Sequence, residues 1–211
     1  MKVLLVNGSP HKEGCTYTAL NEVAKTLNEE GIETEIFWIG NKPLSGCIAC
    51  RKCIELGRCI FNDSVNEFKK LAETADGFIF GTPVHYAAAS GAITSFMDRV
   101  FYSEFLGNGN KNFYLKPAAC VVSARRAGTT ATFDQINKYF TIQEMPIISS
   151  RYWNMVHGTC PEEVLEDKEG LCNMRVLARN MAFFLKCKEA GIKAGISLPK
   201  KEDPVFTNFI H

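Results

Sequence analysis

No stretch of this sequence is apolar for long enough to span a bilayer, and neither sign dominates its charge. The formal net charge is +1 over 211 residues, which argues against a nucleic-acid footprint or an anionic-membrane binder. The opening run "MKVLLVNGSP" is too short for a signal core and has no small-residue cleavage site. A cytoplasmic protein is the expectation. The loop "NGSPHKEGCTYT" (7–18) has Cys15-Thr16 where a Walker A loop has Lys-Ser/Thr, so ATP or GTP hydrolysis is disfavoured. Nor does it read G-x-G-x-x-G, so a pyrophosphate-bridged dinucleotide is not its first ligand. Internal repeats, low-complexity segments and an interdomain linker are also missing.

What is present is an alternation of short apolar runs with helical patterns. Strands are expected at 2–8, 33–40, 77–83, 118–124 and, more weakly, 145–150. Helices are expected at 15–31, 64–77, 91–102 and 130–143, with one long helix over 161–190. Cys120 lies within "AACVVS" and reads as a small core residue. Such alternation predicts an α/β three-layer sandwich around a five-stranded parallel sheet. The flavodoxin-like strand order 2-1-3-4-5 fits, and a nucleotide-binding Rossmann domain is the alternative. One domain over 1–194 is expected, with a cysteine-rich insertion at about 41–62 and an extended tail over 195–211. Phe206 and Phe209 in that tail need cover from this subunit or a neighbour, which points to a homodimer or homotetramer.

In such sheets ligands bind beyond the carboxyl ends of the strands. The first loop there offers Ser9, Thr16 and Thr18 hydroxyls at a helix start. Free backbone N–H groups and the helix dipole suit a terminal phosphate; a plain capped turn is the alternative. The second loop, "GTPVHYAAASGAITSFMDR" (81–99), presents Pro83, Val84, His85 and Tyr86. In its last residues, Asp98 and Arg99 suggest a structural or interface ion pair. The third, "SARRAGTTAT" (123–132), presents Ser123, Ala124, Arg125, Arg126 and Gly128. Beyond the last strand lie Tyr152, Trp153 and His157. These could flank a ligand, while core packing is the alternative for Trp153.

"NGSPHKEGCT" resembles the first FMN loop of the NADPH-dependent FMN reductase branch of the flavodoxin-like flavoproteins, with Cys15 where Asn or Ser is usual. The second loop resembles that family's Pro-x-Tyr … Gly … Lys-x-Phe-x-Asp-Arg segment at Pro83, Tyr86, Gly91, Phe96, Asp98 and Arg99, with two residues rather than one between Pro83 and Tyr86 and with Thr94 in place of the usual Lys. The resemblance implies FMN as cofactor. Ser9, His11, Cys15, Thr16 and Thr18 would hold its phosphate and ribityl end, and Pro83, Val84, His85 and Tyr86 its ring. Ser123, Ala124, Arg125, Arg126 and Gly128 occupy the third flavin loop. The two arginines are unusual there. They would stabilise negative charge on a reduced ring, bind an NADPH phosphate or a substrate carboxylate, or lie solvated.

Four of the nine cysteines stand together in "GCIACRKCIELGRC" (46–59), spaced C-x2-C-x2-C-x5-C at Cys47, Cys50, Cys53 and Cys59. Zinc usually takes two separated pairs or cysteine with histidine. The compressed spacing resembles a bacterial ferredoxin's opening and the compact motif of the iron–sulfur flavoproteins in the same family, at the same place after the second strand. That resemblance implies a 4Fe-4S cluster; structural or vestigial cysteines are the alternative. Arg51, Lys52 and Arg58 interleave the thiols and would offset the charge of a cluster.

Three functions follow as expectations. The first is an FMN-dependent oxidoreductase taking electrons from NAD(P)H or ferredoxin and delivering them to a small-molecule or protein acceptor, with no catalytic acid or base required. The second is a non-enzymatic electron carrier or redox sensor. The third is an FMN-only dehydrogenase or reductase of a small carboxylated or quinone-like substrate.

Overall fold

Along β1 (Lys2–Asn7), successive side chains enter opposite cores: Leu4 and Val6 one, Val3 and Leu5 the other. β3 (Gly77–His85) and β5 (Ala118–Ala124) repeat this. Phe78, Phe80, Cys120 and Val122 join the first core, and Ile79, Ala119 and Val121 the second. A strand buried on both faces is what a parallel sheet between two helical layers demands. The computed structural model describes residues 1–203 and 205–209. Its sheet runs β2 (Glu33–Trp38), β1, β3, β5, β6 (Met155–His157), with all these neighbours parallel. A two-residue strand, β4 (Ala88–Ala89), folds back antiparallel onto β3. Leaving out β4, this is the expected flavodoxin-like order.

One layer holds α1 (Cys15–Glu29), α6 (Pro161–Glu166) and α7 (Lys168–Lys193), packed on an aliphatic core through Leu20, Val23, Leu27, Met174 and Leu177. The other holds α3 (Ser64–Ala72), α4 (Gly91–Asn108) and α5 (Thr129–Ile142). Its core is aromatic, with Phe68 in ring contact with Phe37, Phe78, Phe80, Phe96 and Phe113. No helix among the described residues is long and apolar enough to cross a membrane.

Three expectations are corrected. The last strand is not 145–150. There, only Ile147 bridges Ala118, and the chain leaves the sheet edge before β6 returns beside Val122–Ala124. Pro146 has no N–H to give a ladder, and the following Ser149 and Ser150 give no apolar alternation. The long helix is broken at Asp167, whose carboxylate accepts from Gly170 N at 2.9 Å and from His157 N at 2.7 Å, capping α7. Trp153 is not core: it is 47% exposed, its ring against that of Tyr152. No helix or strand follows Lys193 among the described residues, and Phe206 and Phe209 are exposed.

Cys120 is fully buried, and burial alone pushes its thiol far above the usual range. It is a core residue, as expected. Gly81, at the centre of the sheet, is forced by close approach to α1. A Cβ there would lie 2.8 Å from Leu20 Cδ1 and 2.9 Å from Thr16 Cγ2. Gly81→Ala is expected to cost about 1–3 kcal/mol through overpacking, lowering Tm by about 2–4 °C per kcal/mol. A melting temperature equal to the wild type would contradict this packing.

Candidate functional site

At the carboxyl ends of β1, β3 and β5, three loops come together. Gly8, closing β1, sits so near α4 that a Cβ would meet Ile93 at 2.7 Å. The first loop is folded on its own bonds. Asn7 accepts from Ser9 N at 3.0 Å, Ser9 Oγ accepts from His11 N at 3.1 Å, and Trp38 Nε1 donates to Ser9 O at 2.8 Å. Ser9 and Thr16 are buried, Cys15 and Thr18 half-buried, and His11 exposed. Gly14 is the N-cap of α1, and no side chain caps the helix. Its first N–H groups are therefore left for a ligand.

Thr16 Oγ1 and Ser123 Oγ lie 2.8 Å apart and buried, tying the first loop to the third. Thr18 Oγ1 donates to Gly14 O, inside the helix's own first turn. Cys15 Sγ donates to Gly158 O at 3.6 Å, and burial, the largest influence, raises its thiol pKa. In the second loop Thr82 Oγ1 accepts from Ser90 N, closing the hairpin that carries Pro83, Val84, His85 and Tyr86. Pro83 and Val84 are half-buried. His85 is exposed, and Tyr86 fully so, on a left-handed backbone of φ 64°. Gly128, at φ 90°, caps α5, and a Cβ there would meet Val84 at 2.9 Å, so the second and third loops touch. Ser123 and Ala124 are buried. Arg125 and Arg126 are exposed and form no ion pair among the described residues. Uncapped helix starts, buried hydroxyls and a glycine approach fit a phosphate-bearing flavin.

The cysteine loop leaves β2 and lies on α4. Cys47, Cys50, Cys53 and Cys59 all line one cavity. Its second half is firmly held. Cys53 opens the short α2 (Cys53–Leu56), and Gly57 follows at φ 64°. Lys69 Nζ and Asn108 Nδ2 both donate to Gly57 O at 3.0 Å. Gly107 of α4 lies so close that a Cβ would stand 2.5 Å from Cys53 O. Asn66 clasps Cys59 on both sides, accepting from its N at 3.0 Å and donating to its O at 2.9 Å. Cys53 is buried, and that burial chiefly raises its thiol pKa.

The first half of the loop is open. Cys47 and Cys50 are exposed, with Ala49 and Arg51 at φ 52° and 57°, a left-handed backbone that non-glycine residues seldom adopt. Among the described residues no three His, Cys, Asp or Glu side chains are gathered closely enough to hold a metal ion. Thiols are the donor type of an iron–sulfur cluster, and all four of these line one cavity, so the residues present suit such a group. Beside Cys47 and Ala49, an apolar cavity of about 540 Å³ opens between α4 and α5, walled by Phe101, Phe105 and Tyr139.

The bases interleaved with the thiols do not reach sulfur. Arg51 is exposed, Lys52 pairs with Glu55 at 3.3 Å, and Arg58 donates to Cys59 O. The cation that does reach sulfur is Arg99 of α4, whose Nε donates to Cys59 Sγ at 3.3 Å. Arg99 does not pair with Asp98. It grips Asp63 with two bonds, at 2.8 and 2.9 Å, while Asp98 accepts from Tyr139 Oη at 2.6 Å. The sequence signal for Arg99 was an arginine inside the apolar stretch "SFMDRVFY", a position where a charge needs a buried partner.

The description "NADPH-dependent FMN reductase" belongs to a family model that matches residues 1–159. The chain is 34% identical over 195 residues to an iron–sulfur flavoprotein of Methanocaldococcus jannaschii, covering 88% of this chain and 98% of that one. Its fold is similar to that of RosB with bound 8-demethyl-8-formylriboflavin-5'-phosphate, at a TM-score of 0.69 and 14% identity over 99% of this chain and 92% of that one. A flavodoxin from the domain Archaea also resembles it, at a TM-score of 0.57 and 13% identity over 88% and 99%. The three-loop site sits at the strand ends of a flavodoxin-like sheet, within the matched residues. The chain accordingly belongs to the NADPH-dependent FMN reductase family and is an FMN-dependent oxidoreductase.

Proposed function

We propose that this oxidoreductase takes electrons from NAD(P)H or ferredoxin and delivers them, through a 4Fe-4S cluster at Cys47, Cys50, Cys53 and Cys59, to a small-molecule or protein acceptor. The observation that carries the reading is that four thiols line one cavity, in a loop hung on α4, beside the sheet whose strand ends carry the three candidate flavin loops. FMN, when bound, supplies the exchange between two-electron and one-electron chemistry, and a cluster supplies one-electron chemistry. Everything else is done by the chain's own groups.

The start of α1, which no side chain caps, would hold the phosphate with the N–H groups of Cys15 and Thr16 and the Ser9 hydroxyl. His11, at the exposed rim, adds a donor. Thr18 stabilises the first turn of the helix. Pro83, Val84, His85 and Tyr86 would hold the ring, together with Ser123, Ala124 and Gly128 of the third loop. Arg125 and Arg126 face solvent unpaired, free to meet a nucleotide phosphate or a carboxylate. The cavity of about 540 Å³ beside Cys47 is within the range of small-molecule sites, which supports a small acceptor there. Residues 1–194 act as one flavin domain carrying the insertion at about 41–62, with 195–211 as a tail. The exposed Phe206 and Phe209 support assembly into a homodimer or homotetramer.

Thr16→Val tests the phosphate loop. It leaves Ser123 Oγ buried without its partner, at a cost of about 1–3 kcal/mol. FMN affinity is expected to fall by about tenfold or more, since each 1.4 kcal/mol is a factor of ten. Unchanged affinity in a fluorescence titration would show that the Thr16–Ser123 tie does not shape the flavin site. Anaerobic addition of NADPH to the FMN-loaded protein tests the donor: flavin absorbance should bleach. A flavin that stays oxidised with NADPH and NADH yet bleaches with reduced ferredoxin would exclude the nicotinamide as donor.

A further inference from the structure

We propose that Arg99 raises the reduction potential of the cluster through the hydrogen bond from its Nε to Cys59 Sγ, favouring electron transfer from flavin to the cysteine loop. The inference rests on the reading that Cys47, Cys50, Cys53 and Cys59 hold that cluster.

Arg99 is 1% exposed, and its guanidinium also donates to Ser45 O at 3.3 Å and lies 4.8 Å from the centre of the Phe61 ring. A guanidinium keeps its charge throughout the working pH range, and the two bonds to the Asp63 carboxylate satisfy it in this buried position. Asp63 offsets most of its net charge. What the sulfur receives is one N–H dipole, fixed by the two-bond grip of Asp63 on the rest of the group.

Reduction adds one electron and one negative charge to the cluster. No bond is made or broken, and no proton is required. Part of that charge resides on the ligating sulfurs, so an N–H aimed at sulfur stabilises the reduced form more than the oxidised form. Burial of the donor keeps water from levelling the difference. The other nearby cations do not act this way, because Arg51, Lys52 and Arg58 make no bond to a thiol.

The test is a potentiometric titration followed by electron paramagnetic resonance, on holoprotein purified and reconstituted without oxygen. Arg99→Met removes the donor and the charge. The one-electron equilibrium between cluster and mediator should shift about tenfold toward the oxidised cluster, a fall of 59 mV for a one-electron couple. Asp63→Asn can still cap α3 but removes the offsetting negative charge, so the potential should move the other way. Arg99→Lys keeps a charge without the fork and should shift as Arg99→Met does, which keeps the test available if Arg99→Met fails to fold.

Variants that keep iron and FMN and titrate at the wild-type potential would overturn the proposal. So would variants that lose iron while their remaining clusters stay at that potential, since Arg99 would then be structural only. Wild-type protein that takes up FMN but no iron would instead overturn the underlying cluster reading, and the wild-type analysis shows this before any variant is made.

Discussion

Glu104→Ala is expected to lower stability by about 3–5 kcal/mol, because it leaves a buried ammonium without its counter-charge. Glu104 is fully buried and pairs with Lys69 at 3.2 Å. It also accepts from Asn108 Nδ2 at 3.0 Å and from Asn112 N at 3.1 Å. The carboxylate thus holds α3 to α4 and fixes the turn after α4 at once. Lys69 donates onward to Gly57 O and Ser103 Oγ, so the pair also anchors the cysteine loop. At about 2–4 °C per kcal/mol, the melting temperature should fall by roughly 10 °C. The loop should also become easier to cut with protease. A variant melting within about 2 °C of the wild type would show that the pair is balanced by its desolvation and holds nothing.

Cys53→Ser is expected to separate the two cofactors. Cys53 is the buried member of the four thiols and sits against Gly107, in the held half of the loop. Serine nearly keeps the volume and removes the sulfur that would bind iron in the proposed cluster. Iron and acid-labile sulfide per chain should fall at least tenfold, about the scale of losing a metal-site group, while FMN content stays at the wild-type level. This selectivity follows from the geometry: the flavin loops end β1, β3 and β5, whereas the cysteine loop follows β2 and rests on α4. Loss of FMN in proportion to iron would mean that the loop supports the fold rather than a separate redox centre. Iron retained in full would remove Cys53 from the ligand set.

The sheet was legible wherever a strand is buried on both faces. "KVLLVN", "GFIFG" and "AACVVSA" are apolar throughout and end in small or polar turn residues, the pattern of interior parallel strands. The edge was not. β6 is only "MVH", preceded by the exposed Tyr152 and Trp153, and its neighbourhood with Ala124 is set by tertiary pairing. The break at Asp167 was hidden for a related reason. "LEDKEG" lies inside a longer run of helical periodicity with no proline to break it, and the two N–H groups that reach the Asp167 carboxylate are what make it a cap. Within the site, the three loops that meet at the strand ends were legible because each is a short run following a strand. The cation on the thiols was not, because Arg99 stands forty residues beyond Cys59. Proximity in sequence favoured Arg51, Lys52 and Arg58, which the fold turns to solvent or backbone.

The central claim, a flavin and an iron–sulfur cluster carried by one chain, meets its most direct test in the wild-type protein. It should be prepared without oxygen and measured for absorption spectrum, iron, acid-labile sulfide and FMN. The account predicts flavin bands on a broad iron–sulfur shoulder, with iron and sulfide equal to each other and in the proportion to FMN that a 4Fe-4S cluster requires. A pure flavin spectrum, with neither iron nor sulfide after anaerobic reconstitution, would contradict it and leave Cys47, Cys50, Cys53 and Cys59 as thiols of an FMN-only reductase.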